Sequence, residues 1–423
     1  MIVPSIDLMG GNAVQLVGGK EQELDAGDPR PLAERFRLAG EVAVIDLDAA
    51  LGKGSNREVI QELCRMAPCR VGGGIRDVET ARFWLDAGAE KIILGTAARP
   101  EILKELPRER VIAALDAVDG EVVVEGWTAK TGRHVLDRIE ELRPYVGGFL
   151  VTFVEREGRL GGTDEELARK VVDAAGDARV TIAGGVTTVE EIAMLDALGA
   201  DAQVGMALYK GLMDLGDAIG APLKSDRPDG LWPTVVCDEQ GVALGLAYSN
   251  QESLREAVAT GRGVYHSRKR GLWRKGESSG SVQELVRVDL DCDRDTLRFV
   301  VRQQGEGFCH LSTWTCWGES RELGHLRALG RTIRARMEEA PQGSYTRRLF
   351  EEPGLLEAKL REEAGELGVA EEREDVVWEM ADLLYFGLVA LVRGGGSLSD
   401  VEKELYRRAL KVSRRRGDAK EDV

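Results

Sequence analysis

The side chains whose types and spacing could support chemistry are most concentrated between residues 291 and 316. Three aspartates alternate with other residues in one short segment, and three cysteines lie in it or soon after it. On a strand or extended loop, the three carboxylates would project to the same side. Oxygen ligands suit Mg²⁺ whereas thiolates suit Zn²⁺, so we expect two metal sites here. The carboxylates are Asp291, Asp293 and Asp295, and the thiols are Cys292, Cys309 and Cys316.

Two simpler interpretations of this segment are a calcium loop and a structural zinc site. A calcium loop of the EF-hand type also begins with alternating aspartates, but it needs glycine at its sixth position and glutamate at its twelfth. Thr296 and Arg302 occupy those positions, so the sequence excludes this loop type. A structural zinc site remains open on spacing alone.

A second set of carboxylates lies on two predicted helices between residues 355 and 391. On the second helix they are spaced i, i+4 and i+7, so they share a stripe beside apolar residues. Unpaired carboxylates near a buried face are costly, and divalent cations offset that cost. A solvated acidic face is the simpler alternative. The residues are Glu362, Glu363 and Glu366 on the first helix and Asp375, Glu379 and Asp382 on the second.

Two further aspartates, Asp7 and Asp116, occupy corresponding positions in an internal repeat. Residues 73–90 also match residues 184–201, and each of these segments begins with glycines. Exposed backbone N–H groups of such glycines can hold a phosphate, so two cradles suggest a substrate with a phosphate at each end. Alternatively, the glycines only allow tight turns and the aspartates cap helices. The cradle positions are Gly73, Gly74, Gly95, Thr96, Gly184, Gly185 and Gly205.

Regular elements must bring these residues together. From residue 1 to about 220, short apolar runs alternate with helical patterns, which predicts βα units around a parallel sheet. Roughly eight such units suit a (β/α)8 TIM barrel, and the repeat predicts two half-barrels. The C-terminal ends of barrel strands line the active site, so we expect Asp7 and Asp116 to face each other across the mouth.

The pattern changes at the segment GAPLKSDRPDG, so the fold class is multidomain. We assign residues 1–221 to the barrel and residues 222–229 to a linker. Residues 230–320 show alternating strand patterns and form a small, mainly β domain. Residues 322–423 read as an all-α domain in which Gly394-Gly395-Gly396 separates two helices.

Composition limits the classes of partner. The 423-residue chain has a formal net charge of −16, which argues against a nucleic-acid-binding surface but allows small anionic substrates. Six cysteines are too few for a disulfide framework and indicate a reducing, cytoplasmic setting. No apolar run approaches the roughly 18 residues of a membrane span, and the N-terminal residues lack a secretory pattern. We therefore expect no membrane partner.

The barrel region contains the motifs PSIDLMGGNAVQLVGG, VIDLDAALGKGSN, VGGGIRD, LGTAA, ALDAVDGEVVVEGW, IAGGV and VGMALY. Through them, residues 1 to about 215 resemble the phosphoribosylformimino-aminoimidazole carboxamide ribonucleotide isomerases of histidine biosynthesis. The resemblance implies an Amadori rearrangement of an aldose aminosugar to a ketose, with Asp7 as general base and Asp116 as general acid. It also implies substrate contacts by Asp46, by Thr152 and by the cradle positions.

The barrel departs from that family at three positions. Gln15, Glu157 and Ala183 stand where the family has arginine, aspartate and serine, which bears on substrate contacts more than on chemistry. Close alternatives are the sister barrel that makes imidazole glycerol phosphate and a barrel with dual histidine and tryptophan isomerase specificity. The motif Glu125-Gly126-Trp127 favours the isomerase over the sister barrel and could form a loop over the substrate.

Residues 229–318 contain DGLWPTVVCDEQGVALGLAYSNQESL, YHSRKRGLWRKGESSG, DLDCDRD and GFCHLSTWTCW. They resemble the phosphoribosyl-AMP cyclohydrolases. The resemblance implies Zn²⁺ on the three thiolates, Mg²⁺ on the three aspartates, and attack of water on the adenine ring. In that family the zinc thiolates come from two subunits, so we expect a homodimer. The implied nucleotide contacts are Ser267, Arg268, Trp273 and Lys275.

Residues 325–416 contain the pattern E-E-x-x-E followed by E-x-x-D, with GSYT and ADLLYF as further matches. They resemble the phosphoribosyl-ATP pyrophosphohydrolases, although Phe386 replaces the family histidine. The resemblance implies hydrolysis of the α–β phosphoanhydride, with a phosphate contact by Lys359 and with Mg²⁺ on carboxylates. The implied Mg²⁺ ligands are Glu363, Glu366, Glu379 and Asp382.

The three resemblances concern successive steps of one pathway. The sequence therefore predicts a trifunctional histidine-biosynthesis enzyme that acts on small phosphoribosyl nucleotides and dimerises through its C-terminal domains. The alternative from another class is an inactive barrel that serves as a scaffold for two active C-terminal domains.

Overall fold

The computed structural model describes residues 1–17, 21–124, 127, 129–157, 161–318 and 326–413. The chain forms two compact units. The first contains Met1–Ser312 with the described residues from Leu410 onward, and the second contains Thr313–Ala409. None of the described helices combines the length and apolarity needed to span a bilayer.

The first 220 residues form a closed barrel. Eight parallel strands pair in the order β1, β4, β5, β6, β7, β10, β11 and β12, and β12 pairs again with β1. The predicted (β/α)8 barrel is therefore confirmed. In addition to these eight strands, the antiparallel strands β2, β3, β8 and β9 are attached to the barrel. The strands in chain order are β1 (Ile2–Met9), β2 (Asn12–Val17), β3 (Glu21–Gly27), β4 (Val42–Asp46), β5 (Cys69–Gly72), β6 (Lys91–Leu94), β7 (Val111–Val118), β8 (Glu121–Val124), β9 (Ala129–His134), β10 (Gly148–Phe153), β11 (Arg179–Ala183) and β12 (Ala200–Val204).

Helices surround these strands because the apolar runs of the strands need cover on both faces. Every residue of β10 is buried, for example. The barrel helices are α1 (Pro29–Phe36), α2 (Leu47–Leu51), α3 (Arg57–Met66), α4 (Val78–Ala87), α5 (Pro100–Leu103), α6 (Val135–Leu142), α7 (Glu165–Ala175), α8 (Val189–Ala197), α9 (Met206–Tyr209) and α10 (Leu215–Gly220).

The internal repeat is visible in the structure. The strands β1 and β7 are each followed by an antiparallel hairpin, β2–β3 in the first half and β8–β9 in the second. The repeated helices also begin alike. The side chain of Asp77 caps α4, and Thr188 forms a capping box with Glu191 at the start of α8. The two half-barrels predicted from sequence thus share architecture as well as pattern.

The mainly β region follows in the same compact unit. Its strands form a four-stranded sheet in the order β14, β13, β18, β17 and a separate two-stranded sheet of β15 and β16. The elements are β13 (Trp232–Asp238), β14 (Ala243–Ser249), α11 (Gln251–Thr260), β15 (Val264–Ser267), β16 (Gly271–Arg274), β17 (Gln283–Leu290) and β18 (Leu297–Gln303).

The second unit is helical, as predicted. Its core consists of buried aliphatic and aromatic residues such as Leu349, Leu356, Phe386 and Val389. The glycine triplet at 394–396 separates the last two helices. The helices are α12 (Leu326–Glu338), α13 (Tyr345–Glu351), α14 (Pro353–Val369), α15 (Arg373–Arg393) and α16 (Leu398–Leu410).

Candidate functional site

Two half-buried aspartates occupy the mouth of the barrel. Asp7 lies near the C-terminal end of β1, and Asp116 lies near that of β7, opposite Thr152 on β10. Burial raises the pKa of Asp7 to about 7. Burial also raises the pKa of Asp116, but hydrogen bonds from the Trp127 indole and the Thr152 hydroxyl oppose that rise. Hydrogen-bond donors therefore oppose the rise in the pKa of Asp116 but not the rise in the pKa of Asp7.

A third carboxylate, that of Glu157, belongs to the same site. Burial and the nearby charges of Asp7 and Asp116 raise its pKa to about 7. Because the charges of Asp7 and Asp116 both disfavour ionisation of Glu157, the three carboxylates do not all ionise readily, and a proton is retained among them at neutral pH. From the sequence, Glu157 was recognisable as a family departure, but its interaction with both aspartates was not foreseen. Its position shortly after β10 was the available signal.

The glycines beside the mouth differ in what they allow. Gly73 has φ +91°, and a Cβ atom there would lie 2.2 Å from the Asp46 carbonyl oxygen. Gly184, its counterpart in the repeat, has φ +86°, and a Cβ atom there would lie 2.5 Å from the Phe153 carbonyl oxygen. Backbone packing therefore requires glycine at both positions, whether or not a phosphate binds. The same holds for Gly74, which packs on Ala49, and Gly185, which packs on the Gly162 carbonyl.

Gly95 is the exception among the cradle positions, because a Cβ atom there would meet nothing within 4 Å. Together with Thr96 and Asp116, it lines a cavity of about 450 Å³ that also contains the side chains of Arg133 and Arg138. Both guanidinium groups are ion-paired with Glu141, which also lines the cavity, so a phosphorylated ligand here would compete with that carboxylate for them.

The second cradle is smaller. Gly184, Gly185 and Gly205 line a cavity of about 40 Å³ with Ser5 and Glu157. Gln15 is buried, and its amide oxygen would lie 2.5 Å from a Cβ atom at Gly205. The departure at Gln15 therefore lies directly beside this cradle.

Asp46 has a structural role that the sequence interpretation did not include. Its buried carboxylate accepts hydrogen bonds from the Ala49 and Asn56 backbone N–H groups at 3.1 and 2.9 Å and from the Asn56 amide at 2.8 Å. These bonds cap α2 and hold the loop between α2 and α3. The substrate contact of Asp46 stays a prediction. Of the loop motif at 125–127, only Trp127 lies within the described residues.

The three aspartates of the β region converge, although not on a strand. β17 ends at Leu290 and β18 begins at Leu297, so residues 291–296 form the turned loop between them. Oxygen atoms of Asp291, Asp293 and Asp295 lie within 4.8 Å of one another. Backbone N–H groups of Asp295 and Thr296 donate to Asp291 at 3.1 and 3.2 Å. An all-oxygen group of this size fits a hard cation such as Mg²⁺.

The cysteines are in none of the groups of three converging ligand atoms among the described residues. Cys292 and Cys316 are exposed and Cys309 is half-buried. Cys292 and Cys309 belong to the first compact unit and Cys316 to the second, and zinc binding by these thiolates stays a prediction.

The predicted nucleotide contacts line the same β region, and all four have protein partners in this structure. The Arg268 guanidinium lies 4.7 Å from the Tyr248 ring centroid, and the Trp273 ring packs 5.6 Å from that of Tyr265. Lys275 is buried and donates to the Ser281 carbonyl at 3.1 Å, which anchors a turn. Ser267 ends β15, and its hydroxyl accepts a hydrogen bond from the Arg270 backbone at 3.3 Å.

The helical unit brings two overlapping carboxylate groups together. One consists of Glu362, Glu363 and Glu366, and the other of Glu363, Glu379 and Asp382, each within 4.8 Å. Glu363 is 3 % exposed, and one Glu379 oxygen is buried without a hydrogen-bond partner. Burial and neighbouring carboxylates raise the pKa of Glu379. Asp375 is exposed and joins neither group.

Lys359 lies against these carboxylates. Its ammonium group is 2.6 Å from Glu363 and 3.0 Å from Glu362. The hydrogen bond to Glu363 raises the pKa of Lys359, which therefore stays charged. In the absence of ligand it neutralises part of the cluster, and a phosphate contact by Lys359 stays a prediction. Phe386, which replaces the family histidine, is buried in the core beside Tyr385.

Comparison with known proteins adds to this geometry. The family model described as "Histidine biosynthesis protein" matches residues 1–214. The imidazole-4-carboxamide isomerase of Methanocaldococcus jannaschii is 34% identical over 232 residues, which cover 52% of this chain and 98% of that protein. The chain belongs to the histidine biosynthesis protein family.

This family member carries two further matches beyond its barrel. Residues 245–318 match the model of phosphoribosyl-AMP cyclohydrolase, and residues 326–409 match that of phosphoribosyl-ATP pyrophosphohydrolase. The "Histidine biosynthesis bifunctional protein his7" of Schizosaccharomyces pombe is 52% identical over 208 residues, which are 49% of each chain. A "Histidine biosynthesis trifunctional protein" of Komagataella pastoris is 38% identical over 338 residues, covering 79% of this chain and 37% of that protein.

This histidine biosynthesis protein thus spans half or less of the length of those fungal relatives. The three matched regions follow the barrel, the β region and the helical unit in chain order. The matches agree with the three resemblances in the sequence, and their boundaries fall within the predicted domains.

Proposed function

We propose that the chain catalyses three reactions of histidine biosynthesis. The helical region would hydrolyse phosphoribosyl-ATP to phosphoribosyl-AMP, the β region would open the adenine ring, and the barrel would isomerise the resulting aldose aminosugar to its ketose. The observation that carries the proposal is that each matched region contains its own group of converging carboxylates.

In the barrel, the two aspartates on β1 and β7 would move protons at the ribose. Asp116 would donate a proton to the ring oxygen as the ring opens, and Asp7 would remove the proton from C2. The resulting enolamine becomes the ketose when C1 takes up a proton and the hydroxyl on C2 loses one. The pKa of Asp7, raised to about 7, supports proton transfer near neutral pH, and the pKa of Asp116 is also raised. The cavity with Gly95, Arg133 and Arg138 would hold one phosphate.

In the β region, Asp291, Asp293 and Asp295 would hold Mg²⁺, because their oxygens converge. Cys292, Cys309 and Cys316 would hold Zn²⁺, with thiolates from two copies of the chain. Bound Zn²⁺ would supply an activated water for attack on the purine ring. The protein's own part is to hold the nucleotide, and Ser267, Arg268 and Trp273 are available for that on neighbouring elements.

In the helical region, Glu363, Glu366, Glu379 and Asp382 would hold Mg²⁺. The buried, unpaired oxygen of Glu379 supports this assignment, because a cation would satisfy it. Bound Mg²⁺ would withdraw charge from the phosphates of the substrate. Lys359 would then be released from Glu363 to contact a phosphate.

The assignment of the third activity to the barrel does not rest on the trifunctional relatives. Several of them match this chain over only about 200 residues, as in Saccharomyces cerevisiae, where 199 residues cover 47% of the chain. The word trifunctional in their names therefore need not describe the same three activities. The barrel's assignment rests on its own family match and on its half-buried aspartates.

We also propose a cytoplasmic homodimer that contacts its partner copy through the C-terminal regions. The α15 face carries exposed apolar side chains, with Trp378 70% and Val377 60% exposed. Contiguous exposed apolar groups of this kind usually mark a protein interface. A second copy would also supply thiolates to the zinc site.

The alternative is that the barrel is an inactive scaffold, which the departures at Gln15, Glu157 and Ala183 favour. Turnover of the bisphosphorylated aldose substrate by the full chain tests it. We expect measurable isomerisation that falls by a factor of about 10³ or more in Asp7→Asn, since the base is removed. Absence of turnover in the unaltered chain would leave the scaffold interpretation standing.

A further inference from the structure

The β region is attached to the barrel at three places within the first unit. The helices α10 and α11 pack closely, because a Cβ atom at Gly216 would lie 2.6 Å from the Arg255 Cα atom. Asp217 on α10 accepts hydrogen bonds from Arg255 at 2.9 Å and from Gln251 at 2.5 Å. The second and third attachments both hold the hairpin of β17 and β18.

The second attachment holds β17 at its irregularity. The Arg37 guanidinium, which follows α1, donates to the Val286 carbonyl at 2.7 Å. The β17–β18 pairing shifts register between Leu285 and Arg287, and this shift leaves Val286 outside the ladder. The barrel thus binds the strand that leads into the loop of residues 291–296.

The third attachment holds that loop itself, through Arg294. The Arg294 guanidinium makes two hydrogen bonds to the Asp196 carboxylate on α8, at 2.9 and 3.0 Å. It also donates to the Asp291 carbonyl oxygen. In addition, the Lys224 backbone N–H donates to the Arg294 carbonyl at 2.7 Å. Asp196 of the barrel and Lys224 of the segment after it therefore both hydrogen-bond to Arg294, in the middle of the loop.

The backbone conformation of Arg294 indicates that arginine occupies this position because of the contacts that its side chain makes. Its φ is +66°, a left-handed conformation that favours glycine or asparagine over arginine. Such strain persists only where surrounding contacts over-determine the conformation. Here those contacts are the two-pronged pair with Asp196 and the bond to Asp291. The turn that these contacts fix contains Asp293 and Asp295, which flank Arg294 in the sequence.

We propose that Arg294 and Asp196 form a positioning pair by which the barrel sets the geometry of the Mg²⁺ loop in the β region. This rests on the proposed role of Asp291, Asp293 and Asp295 as Mg²⁺ ligands. Mg²⁺ demands near-ideal octahedral geometry, so a loop held in one shape binds it more tightly than a loop that must be ordered on binding. The barrel would then be required for full metal affinity in its neighbour.

The Arg294–Asp196 pair lies away from the proposed catalytic aspartates of the barrel. Asp196 lies at the end of α8, and β12 begins at Ala200 after it, so the pair sits at the N-terminal ends of the barrel strands. Asp7 and Asp116 lie near the opposite, C-terminal ends. Changes at Asp196 should therefore alter metal binding in the β region while isomerisation continues.

The test is a titration of the full chain with Mn²⁺, which serves as a spectroscopic substitute for Mg²⁺. Binding is measured as the loss of the signal of free Mn²⁺. All variants carry Glu363→Gln and Glu379→Gln, which remove the helical carboxylate group from the count. Asp293→Asn identifies the loop's share of binding. Arg294→Lys keeps the positive charge but loses the two hydrogen bonds of the guanidinium to Asp196. Asp196→Asn removes the carboxylate that Arg294 binds. As the matched control, Asp177→Asn breaks a barrel ion pair to Arg108, 2.9 Å long, that involves no residue of the β region.

We expect Arg294→Lys and Asp196→Asn to weaken Mn²⁺ binding by roughly tenfold or more, as for outer contacts of other metal ligands. Asp177→Asn should stay within twofold. Asp196 also accepts from the Met1 amino group at 2.8 Å, which Arg294→Lys leaves in place. Circular dichroism of the same samples reports whether each variant is folded, and Asp196→Glu replaces Asp196→Asn if that variant does not fold.

Unchanged affinity in folded Arg294→Lys and Asp196→Asn would overturn the positioning role, provided that Asp293→Asn abolishes binding. If Asp293→Asn itself changes nothing, the Mg²⁺ assignment of the loop fails, and the positioning role fails with it. The two failures are thus distinguished by one variant.

Discussion

At the scale of single residues, the barrel mouth is governed by where protons reside. Asp7, Asp116 and Glu157 are half-buried in one site, and each has a raised pKa. The aspartates could be found from the repeat and from their positions at strand ends. The contribution of Glu157 could not, because the repulsion among the three charges depends on distances that only the folded barrel sets.

The first prediction concerns the pH dependence of isomerisation. A general base must be ionised, and burial raises the pKa of Asp7 to about 7, so kcat/KM should rise with pH and be half-maximal near pH 7. Glu157→Gln removes a repelling charge, which makes ionisation of Asp7 easier and should move this ascending limb to lower pH. Glu190→Gln, an exposed change on α8, is the control.

The measurement is a pH profile of kcat/KM from pH 5 to 9 for the unaltered chain and both variants. An ascending limb that stays in place in Glu157→Gln would show that Glu157 does not act on the titrating base. A limb near the ordinary aspartate pKa would contradict the raised pKa of Asp7.

At the scale of elements, the sequence predicted the barrel strands because their apolar runs are short and buried on both faces. It did not predict the hairpins after β1 and β7, since their alternation is weak and one includes the exposed strand β9. It also expected an extended run at Asp291 to Asp295, whereas the structure has a turned loop. Local hydrogen bonds to Asp291 hold that turn together with the long-range contact of Arg294 with Asp196, which no local pattern shows.

The second prediction separates glycines that pack from a glycine that can bind. Gly73→Ala forces a left-handed residue and a backbone clash, so it should lower the free energy of unfolding of the barrel by roughly 2–5 kcal/mol. Gly95→Ala meets nothing within 4 Å and should keep the melting temperature of the barrel. If Gly95 belongs to a phosphate cradle, the added methyl group should instead raise KM.

Calorimetry of both variants, with steady-state kinetics of Gly95→Ala, makes the comparison. Equal melting temperatures for Gly73→Ala and the unaltered chain would contradict the packing argument. An unchanged KM in Gly95→Ala would remove this glycine from the phosphate site.

At the scale of the whole molecule, sequence reasoning located the regions but treated residues 222–229 as a plain linker. In the structure, Lys224 in this segment binds the loop of the next region, and α10 packs on α11. These contacts were not predictable, because they join surfaces that are far apart in the chain and have no periodic signature. The fusion therefore has a structural consequence beyond placing activities in one chain.

The third prediction concerns assembly. Trp378→Asp places a charge on the exposed apolar face of α15, so it should weaken the proposed dimer, while Arg361→Ala on an exposed part of α14 should not. Light scattering at several protein concentrations measures the masses. A monomeric unaltered chain, or a dimer unaffected by Trp378→Asp, would contradict an interface on this face.

The central claim is that one chain carries out three successive reactions, and a single time course tests it most directly. The full chain is given phosphoribosyl-ATP with Mg²⁺ and Zn²⁺, and the nucleotides are separated at intervals. We predict that the ketose accumulates with the unaltered chain, phosphoribosyl-AMP with Cys309→Ser, and the aldose with Asp7→Asn. Flow past phosphoribosyl-AMP in Cys309→Ser, or no ketose from the unaltered chain, would contradict the account.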